Sequence, residues 1–152
     1  MRSTTKQQSS NSEQGTLSAR AEVPVRFSDV DSLHVVWHGH YVKFLEDGRE
    51  VFGTKYDLHY LDVYENGLVT PVTNMNVDFK LPLQYGESAI IDTYYIDTEA
   101  AKIYFEYEIY RSKDHRLAAT GFTEQVFLDT EGELQLAVPP YFQDWKKKWG
   151  LC

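Results

Sequence analysis

The chain has 152 residues, long enough for one domain with a packed core and too short for two. Hydrophobic residues at 42% and charged residues at 25% are ordinary for a soluble globular protein. A formal charge of −8, from 15 Lys and Arg against 23 Asp and Glu, argues against nucleic acid as a partner, because proteins that grip its backbone carry a basic excess.

Residues 1–19 are Ser, Thr, Gln and Asn with almost nothing to bury, which predicts a disordered tail and one domain over residues 20–152. That segment has no apolar stretch, so neither a secretory signal nor a membrane anchor is expected, and no later run reaches the length of a membrane span. Order is expected from near Ala21. There Val23, Val25 and Phe27 alternate with Glu22, Pro24 and Arg26, as in a strand with one buried face, and Pro24 points to an edge or a strand end.

A polar turn at Ser28–Ser32 precedes a predicted helix over about His40–Phe52. Tyr41, Phe44, Leu45, Gly48 and Phe52 fall on one stripe of it, with Lys43, Asp47 and Glu50 outside. A mid-helix glycine costs roughly 1 kcal/mol relative to Ala, so Gly48 implies close approach by a strand or another subunit. Gly53 marks the expected helix end. Asp57–Asn66 reads as one or two further helical turns closed by Gly67.

Four strands follow. Met75, Val77, Phe79 and Leu81 alternate with polar neighbours, and Pro82, Gly86 and Glu87 make a turn. Ile90–Ile96 is apolar enough for the middle of a sheet. Ile103, Phe105, Tyr107 and Ile109 alternate again, and Phe122, Val126 and Leu128 mark a last strand. Short polar connections at Asp97–Ala101 and Ser112–Arg116 make these strands antiparallel neighbours. Aromatic residues at 14%, with 11 Tyr and 3 Trp, suit half-buried strands and apolar pocket walls. At the C-terminus, Lys146, Lys147 and Lys148 beside Trp145 and Trp149 read as a solvated terminal turn. The only cysteine is Cys152, so no disulfide can form within the chain and a reducing cytoplasm is the expected compartment. One long helix cannot cover both faces of five strands. The predicted fold is therefore α+β, an antiparallel sheet wrapped around a central helix, with the remaining apolar surface covered by self-association.

Ionisable residues crowd between the first strand and the helix: Asp29, Asp31, His34, His38 and His40. These are suitable metal ligands, yet no spacing of established geometry is present. They could instead be structural, with the carboxylates bonding to turn amides. A catalytic reading is also open. The first amides of a helix lack internal partners and carry partial positive charge, so they could polarise a carbonyl that a nearby carboxylate attacks directly or through water.

The run RFSDVDSLHVVWHGHYVKFLEDGRE, from Arg26 to Glu50, resembles the 4-hydroxybenzoyl-CoA thioesterase family of hot-dog proteins. The resemblance rests on Asp29 and Asp31 in an Asp-x-Asp turn, on Val35, Val36, Trp37 and His38, and on Tyr41, Phe44, Glu46 and Arg49 along the helix. It implies a hot-dog fold and hydrolysis of an acyl-CoA, with an acyl carrier protein thioester as another candidate substrate. It implies Asp31 as the catalytic carboxylate, nucleophile or general base, and the His38 amide as the group that polarises the carbonyl. Trp37, His34, Gly39 and Tyr41 become candidate substrate-binding residues, at a site between the subunits of a homodimer or homotetramer. No cofactor is expected, since coenzyme A is part of the substrate. Many family members carry Gly where this chain has His34, a position whose backbone His adopts less readily.

Glu46 is a second carboxylate to weigh, and its spacing from Arg49 suits a helical salt bridge. Lys43, Lys80, Lys102, Arg111 and Lys113 are the candidate cations for the phosphates of coenzyme A. A hydratase or dehydratase of enoyl thioesters, using His38 with Glu46, is the alternative enzyme. A thioester-binding protein without catalysis is the third reading, and it would lack the carboxylate that Asp31 supplies.

Overall fold

The computed structural model describes residues 16–151. Most of the expected tail lies outside the described residues, and its end is structured, because the first strand, β1, already begins at Ser18 and runs to Pro24. A short 3-10 turn, Phe27–Asp29, and a second, His38–His40, lead into the long helix α1, Tyr41–Tyr56. Then follow α2 (Tyr60–Glu65), β2 (Leu68–Val69), β3 (Val72–Phe79), β4 (Ser88–Ile96), β5 (Lys102–Arg111), β6 (Leu117–Val126), β7 (Leu128–Asp129) and α3 (Pro140–Lys148).

Five strands form one antiparallel sheet in the order β1-β4-β5-β6-β3. Register pairs Ala21 with Ile91, Ile91 with Ile109, Ile109 with Ala119, and Val77 with Gly121. Pro24 closes β1 on a sheet edge, where its missing amide costs no ladder bond. Strands β2 and β7 pair separately, so Leu128 continues into this small ribbon rather than ending the long strand. Phe27 does not continue the buried face of β1: it lies in the 3-10 turn, exposed, with its ring edge-on to Tyr85 at 5.9 Å.

The sheet curls around α1, which rests on β1 and β4. All five residues of the expected helical stripe are buried. Gly48 allows close contact with β4, since a Cβ there would lie 2.4 Å from Thr93 Oγ1 and 2.9 Å from Ile91 Cγ2. The expected stop at Gly53 is not a stop. The helix runs one turn further, and Asp57 ends it in the left-handed conformation at φ 58°. Gly53 is needed there because a Cβ would meet the Leu58 carbonyl oxygen at 2.8 Å as the chain folds back.

The C-terminal segment is a helix, not a solvated turn. Pro140 starts it at a position where no amide is needed. Phe142 and Trp145 are buried, and Lys146 is buried too, donating to the Thr98 carbonyl at 2.9 Å and pairing with Asp97 at 2.9 Å. The indoles of Trp145 and Trp149 both donate to the Tyr56 carbonyl, at 2.7 and 3.0 Å. They satisfy one of the carbonyls that a helix C-terminus leaves without an internal partner. Among the described residues no helix is long and apolar enough to cross a membrane.

Candidate active site

The loop between β1 and α1 is built almost entirely from backbone hydrogen bonds. The Asp31 N–H donates to the Val35 carbonyl at 2.9 Å, and the His34 N–H donates back to the Asp31 carbonyl at 2.9 Å. Asp31 Oδ1 accepts the Leu33 N–H at 2.8 Å, the usual turn-forming contact of an aspartate. The return arm is tied down by Val36 N–H to the Leu83 carbonyl at 2.8 Å and Trp37 N–H to the Asp29 carbonyl at 3.0 Å. The tight turn needs a left-handed residue, and His34 takes that role at φ 68°.

His34 thus supplies by strain what glycine would supply freely. A non-glycine residue there costs roughly 1–2 kcal/mol. His34→Gly is therefore expected to raise stability by about 1 kcal/mol, read as a higher urea midpoint at unchanged slope. A lower midpoint would mean that the imidazole contributes more than its backbone costs.

Asp31 and His38 come together in one cleft of about 350 Å³, with Val35, Val36, Tyr41 and the segment Phe79–Pro82 as the other walls. Tyr41 is buried, its ring edge-on to Phe79 at 5.0 Å. Burial raises the pKa of its phenol, which keeps it neutral. The 3-10 turn at His38–His40 starts the helical segment. The Trp37 amide is spent on Asp29, the His40 amide on the Trp37 carbonyl at 2.9 Å, and the Tyr41 amide on the His38 carbonyl. Among the described hydrogen bonds none uses the His38 or Gly39 amide, and of these two residues only His38 lines the cleft with Asp31.

Asp29 has another job. Its carboxylate is buried, accepts the Arg26 N–H at 2.8 Å and lies 3.9 Å from His40 Nδ1. Trp37, half exposed, lies over Gly39, where a Cβ would come 2.1 Å from the indole ring. Trp37, His34 and Gly39 are not among the walls of the cleft around Asp31. Among the described residues no three His, Cys, Asp or Glu side chains converge as a metal ion would require.

Glu46 is elsewhere. With Arg49 it lines a second cavity of about 910 Å³, bounded by the C-terminal half of α1, by α2 and by the start of β3. The expected Glu46–Arg49 salt bridge is not among the ion pairs of the described residues. Arg49 instead donates to the Tyr107 hydroxyl at 3.1 Å, which shares a hydrogen bond of 2.6 Å with Thr123 Oγ1. Within one subunit His38 and Glu46 line different cavities and do not form the pair that a hydratase would use. Of the candidate cations only Lys80 lines the cleft. Lys102 pairs with Glu124 at 3.3 Å, Arg111 with Asp114, and Lys113 bonds to Gln84 at 2.8 Å. The larger cavity and the Arg49–Tyr107 contact escape sequence reading because they depend on elements far apart in the chain.

Residues 25–146 match the family model described as the thioesterase-like superfamily. YneP of Bacillus subtilis (strain 168), whose name is that of an acyl-CoA thioesterase, is 28% identical over 127 residues, covering 84% of this chain and 91% of its own. The structure of a DHNA-CoA thioesterase from Staphylococcus aureus superposes with a TM-score of 0.79 at 27% identity, covering 88% of this chain and 89% of its own. A 4-hydroxybenzoyl-CoA thioesterase complexed with 4-hydroxybenzoyl-CoA shares the fold with a TM-score of 0.74 at 22% identity, covering 85% and 98%. With an α+β hot-dog fold and a match over most of its length, the chain belongs to the thioesterase-like superfamily and is a thioester hydrolase.

Proposed function

We propose that this chain hydrolyses acyl-CoA thioesters in the cleft between Asp31 and the entrance of α1. The observation that carries the reading is that Asp31 and His38 line one cleft and that none of the described hydrogen bonds uses the His38 amide. A thioester carbonyl placed at the His38 amide is polarised, and the oxyanion of its tetrahedral intermediate is held by the same N–H group. Asp31 then either attacks the carbonyl carbon, expelling the thiolate and leaving a mixed anhydride that water hydrolyses while giving a proton to the thiolate, or takes a proton from a water that attacks the carbon. In the water route, the hydroxide adds to carbon, the C–S bond breaks, and the proton held by Asp31 passes to the departing thiolate. Lys80 at the rim is the available positive charge for a phosphate in a chain of net charge −8.

The working form is a homodimer joined along β3. That strand pairs only with β6 among the described strands, and its outer edge carries Val72 and Phe79, both exposed. A bare edge of eight residues is a ready template for a second copy. The placement is cytoplasmic, where the single thiol, Cys152, stays reduced.

Thiol release from a panel of acyl-CoAs by the wild-type chain tests the reaction, with acyl carrier protein thioesters as a second panel. Release from any acyl-CoA supports the reading. Activity only on carrier-bound thioesters would replace coenzyme A as the substrate carrier, and no release at all would overturn hydrolysis. Self-association is tested separately by sedimentation. Met75 and Val77 turn their amides to the open edge of β3, and Val77→Pro is expected to shift the dimer towards monomer, because proline removes an edge donor. A wild-type monomer at tens of micromolar would contradict the dimer.

A further inference from the structure

The cavity of about 910 Å³ is near the upper end of the range, roughly 300–1,000 Å³, that holds small-molecule ligands. Its walls are mostly apolar, including Phe52, Val63, Ile103, Phe105 and Leu128. Two of its polar groups are already engaged: Arg49 on the Tyr107 hydroxyl, and the Gln125 amide on the Thr70 carbonyl at 2.7 Å. Glu46, Glu50, His59, Tyr60 and Tyr64 add polar groups to the wall, but one aromatic ring would fill only a fraction of the space.

Strand β3 connects this cavity to the catalytic cleft. Its first residue, Val72, lines the cavity, and its last, Phe79, lines the cleft with Asp31. Within one subunit the two lie at opposite ends of an eight-residue strand, about 25 Å apart. When two copies pair antiparallel about the middle of β3, Val72 of each faces Phe79 of the other. The Asp31 cleft of one copy then opens towards the large cavity of its neighbour.

We infer that the acyl group is a medium- or long-chain aliphatic one, with its distal methylenes lodged in the apolar cavity of the second copy. The inference rests on the thioesterase reading and on the β3 dimer, and it assigns the substrate class to that site.

The test has two arms. Titration calorimetry on the full chain compares free decanoate with benzoate, a readout that needs no catalysis. Decanoate is expected to bind saturably and about a hundredfold more tightly, and to lose that advantage in Val69→Trp, which fills the cavity. In the second arm, kcat/KM is measured for acetyl-, hexanoyl-, decanoyl- and benzoyl-CoA. A rise of about three- to fourfold per added methylene is expected up to decanoyl. Val69→Trp should lower the decanoyl-to-hexanoyl ratio about tenfold or more. Thr70→Phe serves if Val69→Trp does not fold. Decanoate no tighter than benzoate, together with a flat or benzoyl-favouring profile, overturns the aliphatic class and leaves thioester hydrolysis intact. Absence of thiol release from every acyl-CoA overturns the hydrolase reading, and decanoate binding alone then decides what the cavity holds.

Discussion

Asp31→Asn is expected to lose roughly a hundredfold or more in kcat/KM while the chain folds as before. The asparagine side-chain oxygen can still accept the Leu33 N–H that Asp31 Oδ1 accepts at 2.8 Å, and the other bonds of the turn are made by backbone. What is lost is the negative charge that attacks carbon or takes the proton. Asp31→Ala should lose as much activity and also some stability, about 0.5–1.5 kcal/mol, because the turn contact goes with it. Comparison of the two variants by melting and by thiol release separates the chemistry from the scaffold. Activity equal to wild type in both would remove Asp31 from the mechanism and move attention to Glu46 in the second cavity.

Gly48→Val is expected to cost about 3 kcal/mol, a fall of roughly 10 °C in the melting midpoint. The site has no room for a Cβ, with Thr93 Oγ1 at 2.4 Å and Ile91 Cγ2 at 2.9 Å. Helix propensity favours Ala over Gly by about 1 kcal/mol, so Gly48→Ala is milder and its net sign depends on how far Thr93 can yield. Thr93 offers a control. Its hydroxyl is buried with no hydrogen-bond partner among the described residues, so Thr93→Ala removes the clashing atom at little cost. The double variant Gly48→Ala, Thr93→Ala should be more stable than the sum of the single changes predicts. Strict additivity in calorimetric melting would show that the contact is not what limits this position.

Gly48 also marks how much of the fold is legible locally. The stripe of Tyr41, Phe44, Leu45 and Phe52 and the break in it at Gly48 announce a helix lying tightly on a strand. The short polar connections give β4, β5 and β6 as neighbours, whereas the places of β1 beside β4 and β3 beside β6 rest on pairings distant in sequence. The position of Asp31 before a helix entrance is legible for the same reason: a turn and a helix start are local structures. Gly53 misleads because two physical needs select glycine. One is a left-handed stop, and the other, present here, is room for the Leu58 carbonyl. Lys146 misleads because a charged run normally faces solvent, whereas Asp97 and the Thr98 carbonyl, distant in sequence, hold this one inside. His34 was visible as a departure, and its positive φ explains what the departure costs. Arg49 satisfies itself on Tyr107 rather than on Glu46 because the sheet brings the phenol beneath the helix.

The central claim is that Asp31 and the His38 amide, in the turn that enters α1, work on one thioester. The measurement that tests it most directly is a crystal structure of Asp31→Asn soaked with decanoyl-CoA, in which slow turnover preserves the substrate. The account predicts the thioester carbonyl oxygen about 3 Å from the His38 amide nitrogen, with its carbon facing the residue 31 side chain. A thioester bound with its carbonyl away from His38, beside Glu46 or on the outer face of the sheet, would contradict it.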